Sequence, residues 1–271
     1  MTLPVSAFVI CYNEEKSIEG CIRSLRMCEE IIIVDSGSVD ATESIVSLLV
    51  NEGFPIKFFV EPWRGFGAQK QFALSKCSKE WCLSIDCDER VSPRLGSSLE
   101  EMISNLSVSG WRITRYDYLL GYGFVPPESH ERYHVRLFRR CSGSFDPSDI
   151  VHEGIRVEGE VRFAVHGGLL HFTPISIERQ IEKWNKYSSL KAEMKAERNL
   201  KSKPIKIFVS PIVFFLRWYV RYGYWRCGWA GFIHCVEAAV YSFLTEAKRW
   251  ENEAVLRRPP VEPDLSEFDR Y

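Results

Sequence analysis

The chain has 271 residues, 45% of them hydrophobic and 26% charged, with a net charge of -1 and nine cysteines. That length allows one sizeable domain with an appendage or two small ones, and that apolar content builds a real core, which excludes disorder. The near-zero charge leaves no nucleic-acid footprint; an odd number of cysteines without C-x-x-C spacing reads as reduced, buried thiols of a cytosolic protein, not as a disulfide framework or a zinc site.

The N-terminus, Met1-Thr2-Leu3-Pro4, enters an apolar run with no basic stretch before it, so no signal peptide is expected. Val5 to Cys11 has the length and composition of a buried strand. Glu14 to Met27 carries helical spacing at Ile18, Cys21, Ile22 and Leu25, and Glu30 to Asp35 contains the β-branched run Ile31-Ile32-Ile33-Val34. Asp40-Ala41-Thr42-Glu43 opens a second helix, with Asp40 as expected N-cap and Glu43 at capping-box distance. A strand at Ile56 to Val60, a helix at Gly67 to Cys77 and a strand at Trp81 to Arg90 follow. Apolar strands alternating with amphipathic helices predict an α/β fold, a mostly parallel sheet covered on both faces. Ligands of such sheets bind beyond the carboxyl ends of the strands.

Polar residues collect at those ends: Cys11-Tyr12-Asn13-Glu14-Glu15, Asp35-Ser36-Gly37-Ser38 and Asp86-Cys87-Asp88-Glu89. In a strand, Asp86 and Asp88 share one face, and two carboxylates there favour a hard cation such as Mg²⁺ or Mn²⁺ with phosphate oxygens completing its shell. A solvated acidic turn is the plainer reading of the same three acids. Strand one lacks a following G-x-G-x-x-G, so a dinucleotide fold is not supported. Lys70, just after Gly65-Phe66-Gly67, can reach a phosphate from the first turn of its helix or lie on the surface.

The runs Cys11 to Glu15, Val34 to Asp40, Gly65 to Lys70 and Ile85 to Glu89 together resemble the family 2 glycosyltransferases of GT-A fold, the nucleotide-diphospho-sugar transferase fold. The resemblance implies that Tyr12, Asn13, Glu14 and Asp35 hold the nucleoside of a UDP-sugar donor, with Asp35 facing the base. It also implies that Asp86 and Asp88 form the DxD element gripping ribose and metal-bound diphosphate. Cys11 and Val39 stand where the family often has Thr, without loss of a charge.

Beyond the acidic run, Pro93 to Asn105 reads as a helix, Trp111 to Tyr116 and Val135 to Arg139 as strands, and the glycine- and proline-bearing stretch from Leu119 to Arg132 as a long, functional loop. His152-Glu153 and Gly167-Gly168-Leu169-Leu170-His171 occupy places where the family carries a general base and a metal-completing histidine; by that resemblance Glu153 is the base, and Asp88 and His171 are metal ligands. One base and one metal suit a single displacement with inversion.

Lys201 to Trp250 holds eight Lys/Arg against two Glu, and 13 of the chain's 36 aromatic residues lie between Pro204 and Trp250. Aromatic helices with basic flanks suit a membrane interface, and the ten-residue uncharged run Cys227 to Val236, which no run in this region exceeds, is too short to span a bilayer. A packed helical subdomain with a cationic surface is the alternative. Arg221 to Tyr224 and Phe243 to Glu251 resemble the tail of bacterial lipopolysaccharide core glucosyltransferases of the WaaE/KdtX type. The expectation is a GT-A domain over 1–175 and a helical, membrane-associating region over 176–271, peripheral to the cytoplasmic face of the inner membrane. The implied function is transfer of glucose from UDP-glucose to a lipopolysaccharide inner-core heptose. Transfer to polyprenyl phosphate, nucleotidyl transfer and a non-catalytic scaffold are the competing readings.

Overall fold

The computed structural model describes residues 2–125, 133–147, 154–172, 176–197 and 203–257. The chain divides into two compact units, one of Met1–Tyr118 with His130–Thr173 and one of Leu119–Ser129 with Pro174–Tyr271.

The first unit alternates β1 (Leu3–Cys11), α1 (Ile18–Arg23), β2 (Cys28–Asp35), α2 (Thr42–Asn51), β3 (Ile56–Val60), α3 (Phe66–Lys76) and β4 (Trp81–Ser84). Next come β5 (Glu89–Val91), α4 (Pro93–Ser104) and β6 (Gly110–Leu119); a two-residue strand β7 (Gly123–Phe124) falls in the second unit. Then follow β8 (Tyr133–Arg139), β9 (Gly143–Ser144), β10 (Arg156–Val157), β11 (Val161–Phe163) and β12 (Leu169–His171). The sheet order is β3-β2-β1-β4-β8-β6-β12-β5. Its β3-β2-β1-β4 half is parallel, and β8 joins both β4 and β6 antiparallel. Val5, Ala7 and Val9 of β1 and Ile31 to Val34 of β2 are fully buried. Both sheet faces are therefore covered, as uninterrupted apolar strands require.

Three local expectations give way. The first helix does not begin at Glu14, because the backbone N–H groups of Asn13, Glu14 and Glu15 bond side chains of the neighbouring loop: Ser38 Oγ at 2.8 Å, Thr42 Oγ1 at 2.8 Å and Asp40 Oδ2 at 3.1 Å. Asp40 is not the N-cap of α2, whose cap residue is Ala41, although Asp40 Oδ1 accepts the Thr42 N–H at 3.0 Å. The acidic run is not one strand. Its last backbone–backbone bond to β1 is Ile85 N–H to Phe8 O at 3.2 Å; the Asp86 N–H then turns to Glu89 Oε2 at 3.1 Å, and Glu89 N–H closes a turn onto Asp86 O at 2.9 Å. Asp86 and Asp88 consequently sit on a turn, not on one strand face.

The second unit contains α5 (Ile177–Glu197), α6 (Ile205–Leu216) and α7 (Gly228–Arg257), with a π-helical turn over Arg217–Arg221 and a 3-10 turn over Tyr224–Cys227. Its surface is inverted relative to a soluble bundle. No residue of α6 is buried, and Ile205, Phe208, Ile212 and Leu216 line one helical face at 50% to 71% exposure. Ser188, Thr245, Glu246 and Arg249 are inside. The helix over Tyr224–Val255 is, by length and composition, long and apolar enough to cross a membrane. Counting only the uncharged run to Val236 understated it, because the helix continues through Glu237.

Candidate active site

At the carboxyl ends of β1, β2 and β4 lies a cavity of about 750 Å³ walled by Tyr12, Glu14, Ser36, Trp63, Phe66, Asp86, Cys87, Asp88 and His171 among others. Its loops are held by hydrogen bonds of their own. Asn13 adopts φ 55, a left-handed conformation that asparagine tolerates better than most residues, and its Oδ1 accepts the Val39 N–H at 2.9 Å. Asp35 is 3% exposed, with Oδ2 accepting the N–H groups of Gly37 at 3.0 Å and Ser38 at 2.7 Å. Asn13 and Asp35 thus set the shape of the turns that carry Tyr12 and Ser36. Tyr12 and Trp63 are exposed, and Trp63 meets Phe66 edge to face at 4.8 Å, giving the cavity aromatic walls on which a ring can stack.

The two aspartates have different surroundings. Asp86 sits between two cations, Lys70 Nζ at 2.9 Å and Arg136 Nη2 at 2.8 Å, and Arg136 Nη2 also lies 2.8 Å from Glu89 Oε1. Burial would raise the Asp86 carboxyl, but Arg136 and Lys70 outweigh it and hold the group well below the carboxylate range. Glu89, fully buried, is pushed up to about 7 by burial, with Arg136 opposing and Asp86 adding to the rise. Lys70 is itself 2% exposed on α3, where Gly65 at φ 101 makes the sharp entry to the helix. Lys70 thus faces Asp86 instead of lying on the surface.

Asp88 turns to a histidine. His171 Nε2 lies 3.1 Å from Asp88 Oδ2, and Nδ1 lies 2.9 Å from Asp117 Oδ1. Burial would lower the imidazole, but the hydrogen bonds to Asp117 and Asp88 raise it to about 9. Gly167 and Gly168 make this contact possible. A Cβ on Gly168 would stand 2.4 Å from the Thr114 carbonyl oxygen, so only glycine lets β12 approach β6 there, with His171 opposite Asp117. The donor set suits a divalent cation: a carboxylate, an imidazole nitrogen, and a second carboxylate fixing the other ring nitrogen in the arrangement metal-bound histidines use. No group of three or more His, Cys, Asp or Glu able to hold a metal occurs among the described residues. A cation on Asp88 and His171 would leave positions open for water or phosphate oxygens, the usual manner for Mg²⁺. Burial and the charge of Asp88 raise Glu14 in the same cavity.

Of the expected site residues, the cavity collects Tyr12, Glu14, Asp86, Asp88 and His171, with Asn13, Asp35 and Lys70 in the structure around them. Glu153 lies outside the described residues. Arg136, Glu89, Asp117 and Trp63 were missed. Arg136 had a usable signal: an arginine within the apolar strand Val135-Arg136-Leu137-Phe138 needs a buried anion.

The family model described as Glycosyl transferase family 2 matches residues 6–144. A lipopolysaccharide core biosynthesis glycosyltransferase, LpsC, of Rhizobium meliloti (strain 1021) is 48% identical over 97% of this chain and 98% of its own length. An uncharacterized glycosyltransferase of Rickettsia bellii (strain RML369-C) is 27% identical over 92% of this chain and 86% of its own. Among solved structures, S. aureus TarS 1-349 in complex with UDP superposes with a TM-score of 0.51 at 15% identity, covering 93% of this chain and 92% of that one, which is a likeness of fold.

Proposed function

The chain belongs to glycosyl transferase family 2, and we propose that it moves a sugar, glucose from UDP-glucose, onto a heptose of the lipopolysaccharide inner core with inversion at the anomeric carbon. The observation that carries this reading is the Asp88–His171–Asp117 chain, whose first two members line a cavity large enough for a nucleotide sugar. The acceptor is suggested by the name and near-complete overlap of the R. meliloti relative.

In the proposed reaction Tyr12, Asn13, Glu14 and Asp35 hold the nucleoside through the two interlocked loops, and Asp86, kept ionised by Lys70 and Arg136, faces the ribose. The acceptor hydroxyl oxygen attacks the anomeric carbon as the bond to the β-phosphate oxygen breaks; the hydroxyl proton passes to Glu153, assigned from the sequence, and UDP leaves. Asp88 and His171 are the residues that would hold Mg²⁺ or Mn²⁺, whose charge offsets the one growing on the diphosphate. A single base fits one displacement. Residues 1–175 carry this chemistry, and 176–271 keep the enzyme peripheral to the cytoplasmic face of the inner membrane.

The test is transfer by the purified full-length protein from a panel of UDP-sugars to lipopolysaccharide isolated from a strain lacking the gene. UDP release with addition of one hexose by mass is expected. Pyrophosphate release would identify a nucleotidyltransferase instead, and transfer to polyprenyl phosphate alone would move the acceptor out of the lipopolysaccharide core.

A further inference from the structure

Asp86 also borders a second cavity, of about 500 Å³, whose wall includes Ser84, Arg112, Arg115, Tyr133, Arg136 and Gly154. Arg112, Arg115 and Arg136 line it, and among the described lining residues Asp86 is the one carboxylate, with its charge already serving Lys70 and Arg136. Two of the arginines are fixed in place. Arg115 Nε stands 3.0 Å from Asp117, and Arg136 is the extra residue of a bulge where Trp111 pairs Leu137 but Arg112 pairs Val135. Bulges re-aim side chains, and this one coincides with Arg136 bridging Asp86 and Glu89. Arg112, on β6, is exposed and pairs with no carboxylate among the described residues.

Arg115 and Arg136 have carboxylate partners in Asp117 and in Asp86 and Glu89, whereas Arg112 has none among the described residues, so an anion entering the cavity gains most from Arg112, with the charge of its neighbours adding to the attraction. A neutral sugar hydroxyl gains less from a guanidinium than an anion does. Guanidinium forks match a carboxylate or a phosphate monoester, two bonds at a time. The diphosphate of the donor has its own place at Asp88 and His171 under the reading above, on which this inference rests. We propose that the second cavity is the acceptor subsite, and that it binds an anionic substituent, a carboxylate or a phosphate, carried by the acceptor saccharide, with Arg112 the residue that completes the contact. The enzyme then selects acceptors by charge, placing the nucleophilic hydroxyl beside Asp86 and the donor sugar.

Steady-state kinetics of the full-length protein and its Arg112→Ala variant separate the possibilities, using acceptor from the deletion strain untreated, dephosphorylated or carboxyl-reduced. For Arg112→Ala the acceptor KM should rise about ten- to a hundredfold, the worth of one charge-assisted hydrogen bond, while kcat and UDP affinity change by less than about twofold. Arg112→Lys should recover part of the loss. One neutralised acceptor should show the same rise with the unmodified enzyme and little further rise with the variant, as expected of coupled partners; which one identifies the group. Equal use of all three acceptors, or a loss of UDP affinity in Arg112→Ala without an acceptor effect, overturns the assignment. If no saccharide is glycosylated the transferase reading itself fails, and inorganic phosphate then judges the cavity alone. Saturable thermal stabilisation by phosphate that Arg112→Ala abolishes supports an anion site; an equal or absent response in both proteins ends it.

Discussion

Asp88 and Asp86 are two residues apart and do different work, because one faces a histidine and the other two fixed cations. Asp88→Ala should therefore abolish turnover and weaken UDP binding in the presence of Mn²⁺ while leaving the fold intact, since the side chain is part-exposed in a cavity wall. Calorimetric titration of UDP with and without Mn²⁺ checks this; unaltered metal-dependent affinity would remove Asp88 from the site. Glu153→Gln should lower kcat by about 10² to 10⁴, the usual contribution of a general base, with UDP affinity intact. Full activity at saturating substrates would point to another base or an acceptor that is already ionised.

At the scale of elements, one glycine sets the site's frame and one glutamate ties the opposite end of the sheet. Gly168→Ala places a methyl against a backbone oxygen of β6, which has no rotamer to change, so a loss of about 1–3 kcal/mol is expected in urea unfolding. Activity should fall further than stability, because β12 carries His171. Glu30 ties β2 to its surroundings: its carboxylate accepts from Lys57 Nζ at 2.6 Å, Ser78 N–H at 2.7 Å and the Ser6 hydroxyl. Burial would raise its pKa, yet those donors lower it to about 2 from 4.5. The stabilisation, about 3 kcal/mol, is complete above pH 4.5 and lost as pH falls towards 2. Glu30→Gln should flatten the acid limb of the stability curve in that window, measured as urea midpoints at pH 3 and pH 7. Ile31 to Val34 made β2 legible in the sequence because burial on both faces leaves no alternation to misread. The turn at Asp86 was not legible, since its cause is Glu89 and Arg136, a residue 50 positions away from Asp86. Asp117 was hidden in the same way: only the close approach of β12, which Gly168 permits, shows that it orients His171.

At the scale of the molecule, we propose that the second unit rests on the membrane surface without crossing it. The apolar face of α6 and the exposed Trp225 and Trp229 resemble an interfacial surface more than a soluble one. Although α7 is long enough to span, its contacts argue against it. From Tyr241 onward α7 is tied to the charged helix α5: Trp184 lies against Tyr241 at 4.9 Å, Lys195 pairs Glu246 at 2.7 Å, and Lys248 reaches Asn185 Oδ1 at 2.7 Å. Only Gly228 to Val240 remains, about 20 Å of helix against a hydrocarbon core of about 30 Å. Lying flat, the unit would place Arg217, Arg221 and Arg226 among anionic headgroups at about 1 kcal/mol per charge, with apolar burial adding a part that salt does not weaken. Purified full-length protein should float with anionic liposomes at low salt, be released only partly at high salt, and come off fully in alkaline carbonate; a protein ending at residue 175 should stay at the bottom of the gradient. Resistance to carbonate, with a C-terminal tag protected inside the vesicle, would mean that α7 spans after all. Failure of the full-length protein to float would make the exposed face of α6 a contact for another protein and leave the lipid-linked acceptor to be found by diffusion.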